Sequence, residues 1–145
     1  MVGKGYVSLA ELSLNRTGQR GITAEAADRL KNHDYWGLRW NDGDMATEAW
    51  YPQGITGNED ANESGGRRQL IVSWYDHEPD AIVKGARISF IDLEDPEDIR
   101  YRHILLVVPT GARTTPKFYP VLAETGAPLH AGGIVWIGNL LYVAD

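Results

Sequence analysis

HAGGIVWIGNLLYVAD, residues 130–145, is the stretch on which the fold is decided. The Gly132-Gly133 pair marks a turn, and the apolar, β-branched residues after it read as two short strands with no partner strand following them. An earlier stretch has the same form. When WYPQGIT (50–56) is laid beside LHAGGIV (129–135), Gly54-Ile55 matches Gly133-Ile134, 79 residues further on. Each Gly-Ile pair is followed, after a turn or loop, by an apolar strand, QLIVSW (69–74) in one case and LLYVAD (140–145) in the other.

Between the two copies the periodicity is that of strands. Arg68–Tyr75, Ala86–Leu93 and Tyr101–Val108 are rich in β-branched and aromatic residues and are bounded by turn-forming clusters. One unit therefore comprises four strands in succession and then restarts, which is the pattern of a β-propeller blade. Its length exceeds the ~40 to 50 residues of a usual blade. A polar loop at 57–66 and a connection at 110–128 with three prolines account for the excess. The reading is a mainly β chain: a partial β-propeller of about one and a half blades over 50–145, with a first blade at 50–109 and the start of a second at 128–145.

Residues 1–49 have a different texture and form a helical or irregular segment. Thr23 can cap a helix from Ala24 to His33 with Glu25 in its first turn, and Trp36, Leu38 and Trp40 alternate as a strand with one buried face would. NDGD (41–44) then reads as a turn and DMATEAW (44–50) as one further helical turn. Composition excludes several classes. A net charge of -6 gives no basic face for nucleic acid. No apolar run approaches the ~18 to 20 residues that cross a bilayer. With no cysteine there is neither a disulfide framework nor a thiolate zinc site.

GGIVWIGNLLYVAD resembles the first half of a blade in the NHL-repeat and gluconolactonase-like propellers, and PQGIT with QLIVSWYD resembles the same half-blade. More narrowly, the run from WGLRWNDGDMATEAWYPQGIT to HAGGIVWIGNLLYVAD resembles the amino-terminal part of uncharacterised secreted propeller proteins of actinobacteria. The resemblance implies a secreted binding or scaffold module. It also implies blades beyond these, supplied by a longer chain of which this is a fragment or by other protomers. Two alternatives stand beside it: a metal-dependent propeller hydrolase of lactonase type, and a carbohydrate-binding propeller.

Candidate site residues follow from these readings. His130 precedes the Gly-Gly pair at the mouth of an inner strand, the end that faces the central channel of a propeller, and Tyr51 and Gln53 stand near the matching place in the earlier unit. For a divalent cation, a hard ion that takes six or more oxygens, the weak candidates are Asp145 and Asn139. Trp36, Trp40 and Trp50 are candidates for stacking on a ligand. No resident cofactor is expected. NDGD with Glu48 lacks the ligand spacing of an EF-hand, and Ser73 lacks the sharp glycine turn that presents a nucleophile.

Overall fold

The computed structural model describes residues 11–31, 33–58, 67–78, 83–112 and 114–145. Most of the loop anticipated at 57–66 and the first ten residues lie outside that set. The described chain is mainly β. Its centre is an antiparallel sheet of four long strands, β4 (Trp50–Gly57), β5 (Gln69–Asp76), β6 (Ala86–Asp92) and β7 (Arg100–Leu105), each paired with the one before it. A two-residue strand, β1 (Arg16–Thr17), adds to the outer edge of β7. Sequential pairing of this kind follows from short polar connections between apolar runs.

Because side chains alternate across a strand, the sheet has two apolar faces. One carries Trp50, Val72, Trp74, Ile91 and Tyr101, and it is covered by Leu38 and Trp40 of the amino-terminal segment. The other carries Ile71, Ile88 and Phe90, and Trp136 packs on it with Ile134 and Leu141. Those last residues belong to a separate antiparallel hairpin of β10 (Gly133–Ile137) and β11 (Leu140–Ala144). Its two-residue turn starts at Gly138, whose φ of 55° suits the first position of a II′ turn.

The matched Gly-Ile pairs are where hairpin and sheet meet. The β4–β5 register slips between Pro52 and Ile55, a bulge that holds Gly54. A Cβ on Gly54 would lie 2.7 Å from the Gly132 carbonyl and 3.1 Å from Ile134. Only a residue without a side chain fits there. Ser73, fully buried, ties the junction: its hydroxyl accepts the Gly54 N–H at 2.8 Å and donates to the Ala131 carbonyl at 2.7 Å. The Trp136 N–H adds a bond to Thr56 Oγ1 at 3.1 Å.

Several element boundaries differ from the sequence reading. The first helix, α1 (Ala24–Leu30), is capped by Thr23 as anticipated but ends three residues short of His33, whose N–H closes an i→i−3 turn on the Leu30 carbonyl. The strand expected over Trp36–Trp40 shrinks to β3 (Leu38–Arg39), paired with β2 (Gln19–Arg20). NDGD is not a turn but most of a short helix, α2 (Asp42–Met45), because the Asn41 side chain accepts the Asp44 N–H and caps it. The run Tyr101–Val108 breaks at Leu106, whose N–H goes to the Ala86 carbonyl while its own carbonyl accepts the Val121 N–H. Beyond it β8 (Val107–Thr110) pairs with β9 (Lys117–Pro120), a strand inside the supposed connection. Pro109 and Pro120 argue against a sheet interior, but a two-stranded hairpin is all edge and tolerates them.

Candidate functional site

At one end of the molecule the start of β4, the end of β5, the segment leading into β10 and the residue after β11 converge. A cleft of about 450 Å³ opens there, lined by Tyr75, His77, Thr125, Pro128, His130 and Asp145 among others. His130 lies flat on the Tyr75 ring, with centroids 4.4 Å apart and planes 15° apart. Tyr51 stacks on His77 in the same manner, at 4.3 Å and 23°, and the Tyr75 hydroxyl meets His77 Nδ1 at 3.1 Å. Asp145 Oδ1 accepts the His130 N–H at 3.3 Å. Ala131, in the left-handed region at φ 53°, turns the chain so that His130 faces the cleft while Ala131 itself is fully buried.

The candidates read from sequence are thus partly brought together. His130 and Tyr51 belong to one aromatic cluster, and Asp145 joins it. Gln53 does not: it is exposed and donates to its neighbour's Pro52 carbonyl. Asn139 sits in the β10–β11 turn, six residues along an extended strand from Asp145 and so about 20 Å away, which separates the two cation candidates. Among the described residues no group of three or more His, Asp or Glu is placed to hold a metal ion. Trp40, from the amino-terminal segment, and Trp50, in β4, are partly buried on the same face of the sheet, away from this cleft. The Arg87 guanidinium lies 4.5 Å from the Trp50 ring, and Trp40 stands edge-on to Trp74 and Tyr101 at 4.9 and 5.0 Å. Trp36 is half exposed.

A second constellation escaped the sequence reading. On the face covered by the amino-terminal segment, Asp44 of α2 points into the sheet and is 8% exposed. Its Oδ2 accepts the Tyr101 hydroxyl at 2.6 Å and Arg16 Nη1 at 3.0 Å. Its Oδ1 lies 3.0 Å from His103 Nε2 and 3.9 Å from Arg87 Nη2, neither aligned as a hydrogen bond. Ser89 accepts the Trp74 indole N–H at 2.7 Å, so its own proton is free for His103 Nδ1, also at 2.7 Å. With Ser89 as the donor in that contact, the imidazole is neutral and carries its proton on Nε2, toward Asp44.

Burial and charge oppose each other in this network. Burial pushes the Asp44 carboxyl up, but the Tyr101 hydrogen bond, the close approach of His103 Nε2 and the Arg16 charge outweigh it, and it ends below its ordinary value. Burial and the Arg87 charge hold His103 below its ordinary value against the pull of Asp44. Burial and the bond to Asp44 push Tyr101 up to about 12, so it remains a donor. Burial lowers Arg87 to about 10, which leaves it charged at neutral pH.

Ser89, His103 and Asp44 are connected like a nucleophile, base and orienting acid, yet the Ser89 hydroxyl is fully buried against Trp74. The chemistry of the network is attachment: it fastens α2 to β6 and β7. The one available signal was parity, since Arg87, Ser89 and Ile91 alternate onto one face of β6, but nothing local in NDGD announces a partner some sixty residues away.

The fold is thus that of a mainly β protein with a surface cleft and a separate buried polar network. No protein-family model, curated protein or solved structure matches the chain.

Proposed function

We propose that the chain is a propeller-type binding module in which β4–β7 form one blade, β10–β11 are the first half of the next, and the ligand-facing surface is the cleft between Tyr75, His77, His130 and Asp145. One observation carries this reading: the matched mouths of the two units, Tyr51 in one and His130 in the other, meet in a single aromatic cluster beside that cleft. Exposed imidazoles and a carboxylate over a tyrosine platform suit a small polar ligand better than an extended apolar one. The secreted setting rests on the resemblance alone.

The test is a ligand screen read by the imidazole resonances of His77 and His130. Hits should shift both and lose affinity at least tenfold on His130→Ala. Hits that leave both resonances unmoved would sink the proposal. The juxtaposition of His130 with Asp145 favours a second reading, the metal-dependent hydrolase. Calorimetric titration with calcium, magnesium, manganese and zinc separates the two, because stoichiometric binding abolished by Asp145→Ala would displace the first in favour of the second.

A further inference from the structure

The hairpin of β8 and β9 is the β element least covered by the rest of the molecule. Every described residue from Val107 to Tyr119 is exposed, and among the described residues the two strands pair only with each other. Alternation puts Val107, Pro109 and Phe118 on one face and Val108 and Tyr119 on the other, so both faces are apolar and each carries an aromatic ring. Phe118 is 62% and Tyr119 56% exposed. A free two-stranded hairpin is marginal in water. This one is anchored at its base, where Leu106 and Val121 pack against Ala86, Leu129 and Ala131 and the Val121 N–H bonds the Leu106 carbonyl.

Two further features say what kind of surface such a hairpin meets. The Leu106–Val121 bond sets the alternation of the ladder, so Val107, Pro109, Phe118 and Pro120 turn their backbone groups away from the partner strand. Pro109 on one edge and Pro120 on the other have no N–H to give. That obstructs strand addition by another chain, and it leaves fewer donors without a partner where water is scarce. The charge is local as well. Between Ile104 and Ala123 stand Arg113 and Lys117 and no acidic residue, whereas the rest of the chain sets the other 12 of the 14 basic residues against 20 acidic ones.

We propose that the β8–β9 hairpin docks on an anionic lipid surface, seated at headgroup depth with Phe118 on one face and Tyr119 on the other at the boundary with the acyl chains. A lipid surface is fluid and closes around both faces at once, whereas the surface of a folded partner covers one. The rings and valines supply apolar area and the Lys117 ammonium supplies attraction to anionic headgroups, the two contributions on which interfacial binding depends. The outward carbonyls of the two edges hold the hairpin at the level that water still reaches. The acidic remainder of the chain is repelled by the same surface, which turns the molecule hairpin first, and at physiological salt that repulsion is screened beyond about 8 Å. The docking surface is separate from the cleft and does not depend on what binds there.

Because the chain has no cysteine, a single introduced one carries a label uniquely. Val108→Cys and Phe118→Cys, each bearing a nitrobenzoxadiazole dye, are mixed with vesicles of phosphatidylcholine alone or of phosphatidylcholine and phosphatidylglycerol in equal parts. The expected result is that both labels brighten on the mixed vesicles, and that the unlabelled chain sediments with those vesicles and not with phosphatidylcholine alone. Lys117→Glu should weaken the partition roughly tenfold or more, and Phe118→Ser should weaken it too. Both variants should keep the wild-type thermal midpoint, since both side chains are exposed. A chain that stays in the supernatant with both vesicles, a label that responds on one face alone, or a Lys117→Glu variant that binds as the wild type does would overturn the assignment. Retention on heparin without vesicle binding would overturn it in favour of a soluble polyanion.

Discussion

Asp44 is a carboxylate nearly removed from water with a phenol, an imidazole and two guanidiniums around it. Asp44→Asn keeps the shape and removes the charge, leaving Arg87 buried without its counter-ion. The expected loss is about 3 kcal/mol, read as a lower urea midpoint with an unchanged slope. The network also sets a pH dependence. His103 is held below its ordinary value in the folded chain, so the unfolded chain takes up its proton first, and stability falls as pH drops below about 6.5. Asp44 is likewise held low, so its contribution is present above about pH 3.9 and is lost as pH falls through its folded value. Both slopes have the same sign. Urea midpoints measured from pH 8 to pH 4 should decline, and the part of the decline between pH 7 and pH 5 should shrink in His103→Gln.

Among the elements, the hairpin's seat on β4 is the most sensitive to a single atom. Gly54→Ala places a methyl 2.7 Å from the Gly132 carbonyl and 3.0 Å from Ser73 Oγ, and both are held by the bonds around the buried Ser73. Since the obstacle is backbone, β10 must lift. The expected cost is roughly 2 kcal/mol or more in thermal unfolding, with Trp136 emission shifted to the red as its ring leaves Phe90. Ser73→Ala tests the same joint without a clash and should cost about 1–3 kcal/mol, because the buried Ala131 carbonyl loses its donor. The repeat that pointed to this joint was legible because glycine at a close backbone approach is a local, one-residue signal. β9 was not legible, since its prolines deny it a place in a large sheet and only its edge position permits it. The break at Leu106 was hidden in an unbroken apolar run, where nothing in the residue types marks which carbonyl will be claimed by Ala86 or Val121.

Across the whole molecule, stability is concentrated in β5 and β6, which are flanked on both sides and both faces. Amide exchange should be slowest there and fastest in α1, which has no buried residue, and in the β8–β9 hairpin, whose residues are almost all exposed. Equal protection of α1 and β6 would contradict this. At this scale the long strands and their order were readable from alternation, whereas the filling of one sheet face by residues 38–44 was not. The apolar pattern of β5 and β6 requires a cover on both faces but does not say which part of the chain supplies it. For the candidate site, His130 and Tyr51 were found through the repeat; Tyr75 and His77 were missed because the end of β5 carries no mark of its own until the second unit is laid against it.

The attachment of Asp44 to Tyr101, 57 residues away, also has a consequence for the order of events on the ribosome. At about 5–20 residues per second, the α2 segment waits roughly 3–11 s after its own synthesis before β7 exists to receive it. During that interval Trp40 has no sheet to cover and Trp50, at the start of β4, has no completed sheet face around it. The nascent chain therefore presents a tryptophan-rich segment to chaperones and proteases early, and hides it only when the fourth long strand emerges.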